Sequence, residues 1–204
     1  MSMRLLLESE QLEDYLIESA EVDFSNTAVA ALADELSREA GNELAFVRAA
    51  FEYVRDHISH TWDIQSTRVT SSASGALLHR EGICYAKSML LCALLRSKGV
   101  PAGFCYQRLT LGDTPDTGHV IHALNGVYLE SLGRWVRLDA RGNKPGIDAQ
   151  FSLEEEQLAF PIRTYYGEID YPTIYIHPYP STVAVLHQAT NALEMYLQQL
   201  PTAL

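Results

Sequence analysis

The chain has 204 residues, of which 47% are hydrophobic, and this predicts a single domain over 1–204 with a substantial core. A balance of 15 basic against 26 acidic residues gives a formal net charge of −11 without a basic patch, so no nucleic-acid partner is expected. The start of the chain turns acidic too soon for a signal peptide, and no apolar run approaches the ~20 residues of a membrane helix. Three cysteines make no disulfide framework, so the sequence predicts a cytoplasmic protein without membrane association.

The first third of the sequence is predicted to be helical. Apolar residues at helical spacing indicate three helices, over 9–19, 26–40 and 43–58. Gly41 is placed to end the second of them. The helices within 9–40 are expected to lie outside a core that begins near residue 43. A polar loop rich in Ser and Thr, 65–74, then leads toward a cysteine.

Cys84 ends the short segment Gly82-Ile83-Cys84, and the residues from Ala86 to Gly99 read as a mostly apolar helix. A cysteine at a helix start lies beside unpaired backbone N–H groups and the positive end of the helix dipole, and both favour the thiolate. A free thiol has a pKa of ~8.5, so only about a few per cent is ionised at neutral pH. Cys84 is therefore a candidate nucleophile that still needs a base.

The next predicted elements supply such a base and a group to orient it. A strand over 103–111, a loop over 112–118 that borders the cleft, and a hairpin over 119–139 are expected in this order. His122 lies on the first hairpin strand, Asp139 lies at the end of the second, and Gly133 lies in the turn. A carboxylate that accepts a hydrogen bond from one ring nitrogen fixes the tautomer and leaves the other nitrogen for the thiol. Cys84, His122 and Asp139 are thus the predicted catalytic triad.

The C-terminal extension, 150–204, is predicted to have mixed structure. A short acidic helix, a strand and a terminal helix are expected over 154–159, over 171–177 and from Ser181 onward. The terminal helix can pack back on the domain or hold an oligomer together, and the sequence is compatible with both.

The ordered set of motifs resembles the transglutaminase-like superfamily, within the papain-like cysteine enzymes, and in particular a bacterial subgroup. The motifs are the Gly-x-Cys turn into a helix, the helix exit at 93–102, a His strand, and Trp135 ahead of the Asp. The similarity covers about 43–143. It implies an α+β fold in which the Cys-bearing helix packs on an antiparallel sheet that carries the His and the Asp.

Two assignments within the triad have alternatives. In many members of the superfamily the catalytic His precedes Ala-Trp-x-Glu, whereas His122 precedes Ala-Leu-Asn-Gly, so the substrate-side wall is expected to differ. His119 is the alternative base, although it lies on the opposite face of the strand. The spacing from His122 to Asp139 (139 − 122 = 17) is closer to the family pattern. Asp139 also has an interpretation as a turn residue paired with Arg141 or Lys144.

Stabilisation of an oxyanion requires hydrogen-bond donors beside the nucleophile. The backbone N–H of Cys84 is the first candidate, because it is unpaired at a helix start. His60, Trp62 and Gln107 are candidates for the second donor or for the cleft wall. The alternative for His60 is a surface residue beside Asp63.

No metal or cofactor is expected. Cys84, His119 and His122 lack the Cys-x-x-Cys or His-Glu-x-x-His spacing of zinc sites, and no glycine-rich phosphate loop is present.

These residues predict a cysteine protease or amidase that cleaves an amide or peptide bond through a thioester on Cys84. A protein-glutamine transglutaminase, in which an amine replaces water, is the first alternative, and a non-catalytic binding scaffold is the second. The expected partner is a peptide, a protein or a small amide, and the C-terminal extension is a candidate oligomer contact.

Overall fold

The computed structural model describes residues 3–112 and 114–204 and contains helices and strands in mixed order. The helices are α1 (Thr27–Ala40), α2 (Glu43–His57), α3 (Ala73–His79), α4 (Cys84–Arg96), α5 (Pro180–Gln188) and α6 (Ala192–Gln198). The strands are β1 (Leu6–Leu7), β2 (Ser59–His60), β3 (Glu81–Gly82), β4 (Ala102–Thr110), β5 (His119–Leu129), β6 (Arg134–Leu138), β7 (Ile169–Asp170) and β8 (Thr173–Ile174). An antiparallel sheet has the order β6–β5–β4–β7, and β1–β8 and β2–β3 form short parallel pairs. The predicted α+β class is confirmed.

Helix α4 is the centre of the core, and all 13 of its residues are buried, which explains its mostly apolar sequence. It lies on the sheet, where the Asn125 amide on β5 donates to the Ser88 carbonyl at 3.0 Å. The same amide donates to the Gly103 carbonyl on β4 at 3.1 Å, so one buried side chain ties the helix to two strands. Helices α1, α2 and α3 cover the rest of α4. No helix in the described ranges is long and apolar enough to cross a bilayer.

The predicted helices over 26–40 and 43–58 are confirmed as α1 and α2. The Asn26 side chain accepts a hydrogen bond from the Ala28 N–H at 3.0 Å, and Gly41 ends α1 with φ of 74°. The predicted helix over 9–19 is wrong, because only a 3-10 turn, Leu12–Leu16, forms there. The Tyr15 ring is fully buried and its hydroxyl donates to the Ile174 carbonyl at 3.1 Å, so tertiary packing decides the local conformation.

The face of the sheet opposite α4 carries a second apolar cluster, formed by Tyr15, Cys105, Leu124 and Ile174. Gly126 lies in this layer, where a Cβ atom would come within 2.8 Å of the Ile174 side chain. The glycine in the middle of β5 is therefore required by close packing.

The C-terminal extension, 150–204, differs from the prediction in three places. The predicted helix over 154–159 is wrong, because Glu156 is drawn into an ion pair with buried Arg137 at 2.6 Å and no helix forms there. The predicted strand over 171–177 is reduced to β8, with Tyr175 forming an isolated bridge to Phe104. The predicted terminal helix is instead two helices, α5 and α6.

Helix α3 begins inside the expected polar loop, with the Ser72 hydroxyl accepting from the Gly75 N–H at 3.1 Å.

Candidate active site

Cys84 is the first residue of α4, two positions earlier than the predicted helix start. It follows Ile83, whose backbone is extended with φ of −73° and ψ of 173°. Gly82 allows this approach, because a Cβ atom there would lie 2.9 Å from both the Ala86 Cβ and the Thr70 Oγ1. The glycine of the Gly-x-Cys motif thus makes room for the first turn of α4, and Cys84 lies where backbone N–H groups have no partner within the helix.

Cys84 differs from the other two cysteines in its surroundings. All three are free and buried, but Cys84 alone lines the large cavity described below. Burial raises the pKa of the Cys92 thiol to about 11 and that of the Cys105 thiol to about 12. Both of these thiols are neutral packing groups at physiological pH.

His122 and Asp139 form a buried pair. The Nε2 atom of His122 lies 2.8 Å from the Oδ2 atom of Asp139, which directly follows β6. Asp139 also accepts hydrogen bonds from the Arg141 N–H at 3.1 Å and from the Ala159 N–H at 3.0 Å. Because Nε2 is held by the carboxylate, Nδ1 is the ring nitrogen left for the thiol of Cys84.

The electrostatics of this pair favour the charged imidazole. Burial disfavours the cation, but the negative charge of Asp139, followed by the Cys84 side chain, outweighs burial and raises the pKa of His122 to about 10. Burial also disfavours ionised Asp139, yet the His122 ring and the two backbone donors lower the pKa of this carboxyl overall. The site therefore holds a buried ion pair whose imidazole lines the same cavity as Cys84.

Of the alternatives for Asp139, the structure shows a turn contact with the Arg141 backbone N–H but no pairing with a side chain of Arg141 or Lys144. The side chains of Arg141 and Lys144 pair with Asp63 instead, with the Lys144 Nζ at 2.6 Å. His119 does not meet Cys84, since its Nδ1 atom lies 3.2 Å from Arg108 and its Nε2 atom lies 2.9 Å from the Tyr166 carbonyl.

Metal ligands are not gathered at this site. Within residues 3–112 and 114–204, no group of three or more His, Cys, Asp or Glu side chains is arranged to hold a metal ion.

The three candidates for the second donor lie in different places. His60 and Trp62 both line the cavity with Cys84, whereas Gln107 lies outside the lining, opposite His122 in the β4–β5 register. The surface interpretation of His60 is wrong, because this residue is 5% exposed. Burial, followed by the cation of Arg141, lowers the pKa of His60 well below its usual value, so the ring is neutral.

The cavity beside Cys84 has a volume of about 630 Å³ and includes residues that sequence reasoning missed. Phe160 meets the His122 ring edge-on, with the ring centroids 5.1 Å apart. Tyr196 from α6 stacks on Trp62, with centroids 4.6 Å apart and an interplanar angle of 15°. No local motif marks either residue. The expected loop at the cleft does contribute Gly112 and Thr117, while Asp113 lies outside the described residues.

Lys87 was also missed, and it lies one turn after Cys84 in α4. Its ammonium group donates to the Ile58 carbonyl and lies 3.5 Å from the Arg55 carbonyl, at the C-terminal end of α2. Burial, followed by the nearby Arg141 cation, lowers the pKa of Lys87 to about 7. The contact fixes the end of α2, and hence the start of the His60 segment, against the cysteine helix.

Comparisons with known proteins give one family match and several similar solved structures. The sequence model for the transglutaminase-like superfamily matches residues 30–140. Among solved structures, the chain is similar to a candidate cysteine protease from Cytophaga hutchinsonii, with 22% identity, 65% of this chain and 43% of that chain covered, and a TM-score of 0.49. It is also similar to the periplasmic domain of TgpA from Pseudomonas aeruginosa, with 19% identity, 65% and 48% coverage, and a TM-score of 0.47.

In both cases the match spans less than half of the other protein. A comparison with curated protein sequences found no match. The family match covers more than half of the chain and contains Cys84, His122 and Asp139. The chain belongs to the transglutaminase-like superfamily, as the resemblance in its sequence predicted.

Proposed function

We propose that this protein is a cysteine-dependent acyl-transfer enzyme that hydrolyses an amide or peptide bond. Cys84 is the nucleophile, His122 is the general base and acid, and Asp139 orients the imidazole. The observation that carries the proposal is the buried 2.8 Å contact between His122 and Asp139, in a site where His122 lines the same cavity as Cys84 at the start of a helix. Membership of the superfamily supports the same reading.

The chemistry follows from these positions. The Cys84 sulfur attacks the carbonyl carbon, and its proton resides on Nδ1 of His122. When the C–N bond breaks, the imidazolium gives that proton to the leaving amine and a thioester remains on Cys84. Water then attacks the thioester, His122 takes up the water proton, and the carboxylic acid leaves as the sulfur regains a proton. An amine that attacks in place of water gives a new amide.

The oxyanion has two donors in this proposal. The first is the backbone N–H of Cys84, at the N-terminus of α4. The second is His60, whose Nδ1 atom is shut off from solvent and has no hydrogen-bond partner among the described residues. A buried N–H without an acceptor is costly. The proton of neutral His60 therefore belongs on Nε2, the ring nitrogen left to face the cavity.

The proposed function is tested by acylation of Cys84. Excess p-nitrophenyl acetate is expected to add a single acetyl group to Cys84, which peptide mass spectrometry locates. The continuous release of p-nitrophenol is expected as water hydrolyses the thioester. Cys84→Ser should remove the adduct and the turnover. Adding an alkylamine distinguishes the two acceptors, since an N-acetylated amine product indicates amine transfer. The absence of any adduct on Cys84 in the folded protein would leave the scaffold as the explanation.

His60→Gln is expected to slow acetylation of Cys84 by p-nitrophenyl acetate about 100-fold, because one oxyanion donor is lost or displaced. Alkylation by iodoacetamide should stay within about twofold of wild type, because displacement at a saturated carbon forms no oxyanion. His119→Gln, at a histidine whose two nitrogens contact Arg108 and Tyr166, is the matched control. If acetylation and alkylation slow together, His60 acts only through the structure of the site.

A further inference from the structure

We infer that the cavity beside Cys84 binds an uncharged, apolar acyl group, and that Tyr196 of the C-terminal helix α6 determines this preference. The inference rests on the proposed function and adds the substrate class. It is carried by the aromatic wall of the cavity, by the way α6 is fixed, and by the pairing of the charges in the lining.

The aromatic wall is built from two distant parts of the chain. Tyr196 stacks on Trp62, with centroids 4.6 Å apart and an angle of 15°. Tyr196 also meets the His60 ring edge-on at 6.1 Å. All three residues line the same cavity as Cys84, so the stack forms part of the wall of the space that an acyl group would occupy.

Helix α6 is held in place at both ends. At the first residue of the helix, the Ala192 N–H donates to the Thr67 carbonyl at 2.9 Å. After the helix, the Pro201 carbonyl accepts from the N–H of Ile121 at 2.9 Å, directly beside His122. Tyr196 is therefore a fixed part of the site, and it lies beyond the region that the superfamily model matches.

The charged groups in the lining already have partners of opposite charge. Asp63 pairs with both Arg141 and Lys144, and Glu168 pairs with Arg163 at 2.7 Å. In the part of the chain that the structure describes, each cation of the lining thus contacts a carboxylate, and an anionic acyl group would compete with it. Most of the remaining wall is apolar, formed by Leu109, Leu111, Val120, Phe160, Leu197 and Leu200.

Size agrees with this assignment. A cavity of about 630 Å³ lies in the range of small-molecule sites and accommodates a group such as phenylacetyl. In an apolar pocket, two substrates that differ by one methylene are discriminated roughly 10- to 200-fold. A preference of at least about tenfold for phenylacetyl over acetyl is therefore expected.

The decisive experiment measures binding without chemistry. The full chain carrying Cys84→Ser is titrated calorimetrically with phenylacetamide, acetamide and succinamate. Phenylacetamide is expected to bind at least about tenfold more tightly than either other amide. Adding Tyr196→Ser should remove most of this difference, whereas Tyr196→Phe, which keeps the ring, should retain it. Tyr165→Ser changes an exposed tyrosine outside the cavity and is the matched control.

The same preference should appear in turnover of the chain with Cys84 intact. The kcat/KM for p-nitrophenyl phenylacetate should exceed that for the acetate, with the hemisuccinate poorest, and Tyr196→Ser should lower only the phenylacetate value. Equal binding of the three amides, or tightest binding of succinamate, overturns the inference. If phenylacetamide binds selectively but Cys84 is never acylated, the proposed reaction fails and the apolar site stands. If Cys84 is acylated but the three amides bind equally, the proposed reaction stands and the apolar site fails.

Discussion

Replacing His122 with Ala is expected to slow the alkylation of Cys84 by iodoacetamide about 100-fold at pH 6. In the wild type, the Asp139 carboxylate is the main group that overcomes the effect of burial and raises the pKa of His122 to about 10, so the imidazole is cationic at pH 6. Under the proposed function, a cation beside the sulfur favours its ionised form. Without that cation, an ordinary thiol is mostly protonated below its pKa of ~8.5. The alkylation rate of the variant should therefore rise about tenfold per pH unit up to that point, while the wild-type rate stays nearly flat.

The measurement is the rate of carbamidomethylation at Cys84 by mass spectrometry between pH 5 and pH 9. His119→Ala is the control, because this imidazole lies on the same strand but contacts Arg108 and Tyr166. A wild-type profile that follows an ordinary thiol would exclude an activated Cys84–His122 pair, whatever the variant does.

Asp139→Ala is expected to destabilise the folded protein by about 3–5 kcal/mol at pH 6, because it leaves a buried partner charge uncompensated. The substitution also removes the acceptor of the Arg141 and Ala159 N–H groups. Urea unfolding gives the free energy directly. Asp34→Ala, at a carboxylate 64% exposed and paired with Lys98, is the control, with an expected change below about 1 kcal/mol.

The pH dependence of this effect has a defined sign. The folded-state pKa of His122 is raised to about 10, so its contribution to stability is complete below the unfolded value of ~6.5 and is lost as the pH rises through about 10. The pKa of Asp139 is lowered, so its contribution is complete above ~3.9 and is lost as the pH falls. The cost of Asp139→Ala should therefore be larger at pH 6 than at pH 10. An equal cost at both values would show that His122 is neutral in the folded protein.

The residues that sequence reasoning found are those whose signals are local. Cys84 is marked by its glycine turn and the apolar helix after it, and the hairpin with Gly133 at its turn places Asp139 directly after β6. Side chains alternate between the two faces of a strand, so His119 and His122 were predicted to lie on opposite faces of β5. The structure places the two rings in different surroundings. Each of these inferences needs only the period of a strand or the rules of a helix end.

The residues that were missed depend on long-range packing. The segment 9–19 has helical spacing, but burial of Tyr15 against Ile174 selects a 3-10 turn. The acidic segment 154–159 has helical composition, but Glu156 is bound to Arg137 instead. Tyr196 reaches Trp62 only because α6 folds back over the cleft. The sequence around neither residue contains a motif that predicts this contact.

The hydrogen bond from Ile121 to Pro201 has a consequence for how a substrate approaches. Strand β6 pairs with β5 only from Asn125 to Leu129, so the edge of β5 near His122 would otherwise be open to a third strand. Pro201 accepts from that edge, so an extended polypeptide cannot lay its backbone along β5 there. Under the proposed function, we therefore expect a side-chain amide or a terminal amide to reach Cys84 more readily than a peptide bond in the middle of an extended chain, because strand pairing cannot hold such a chain at this edge.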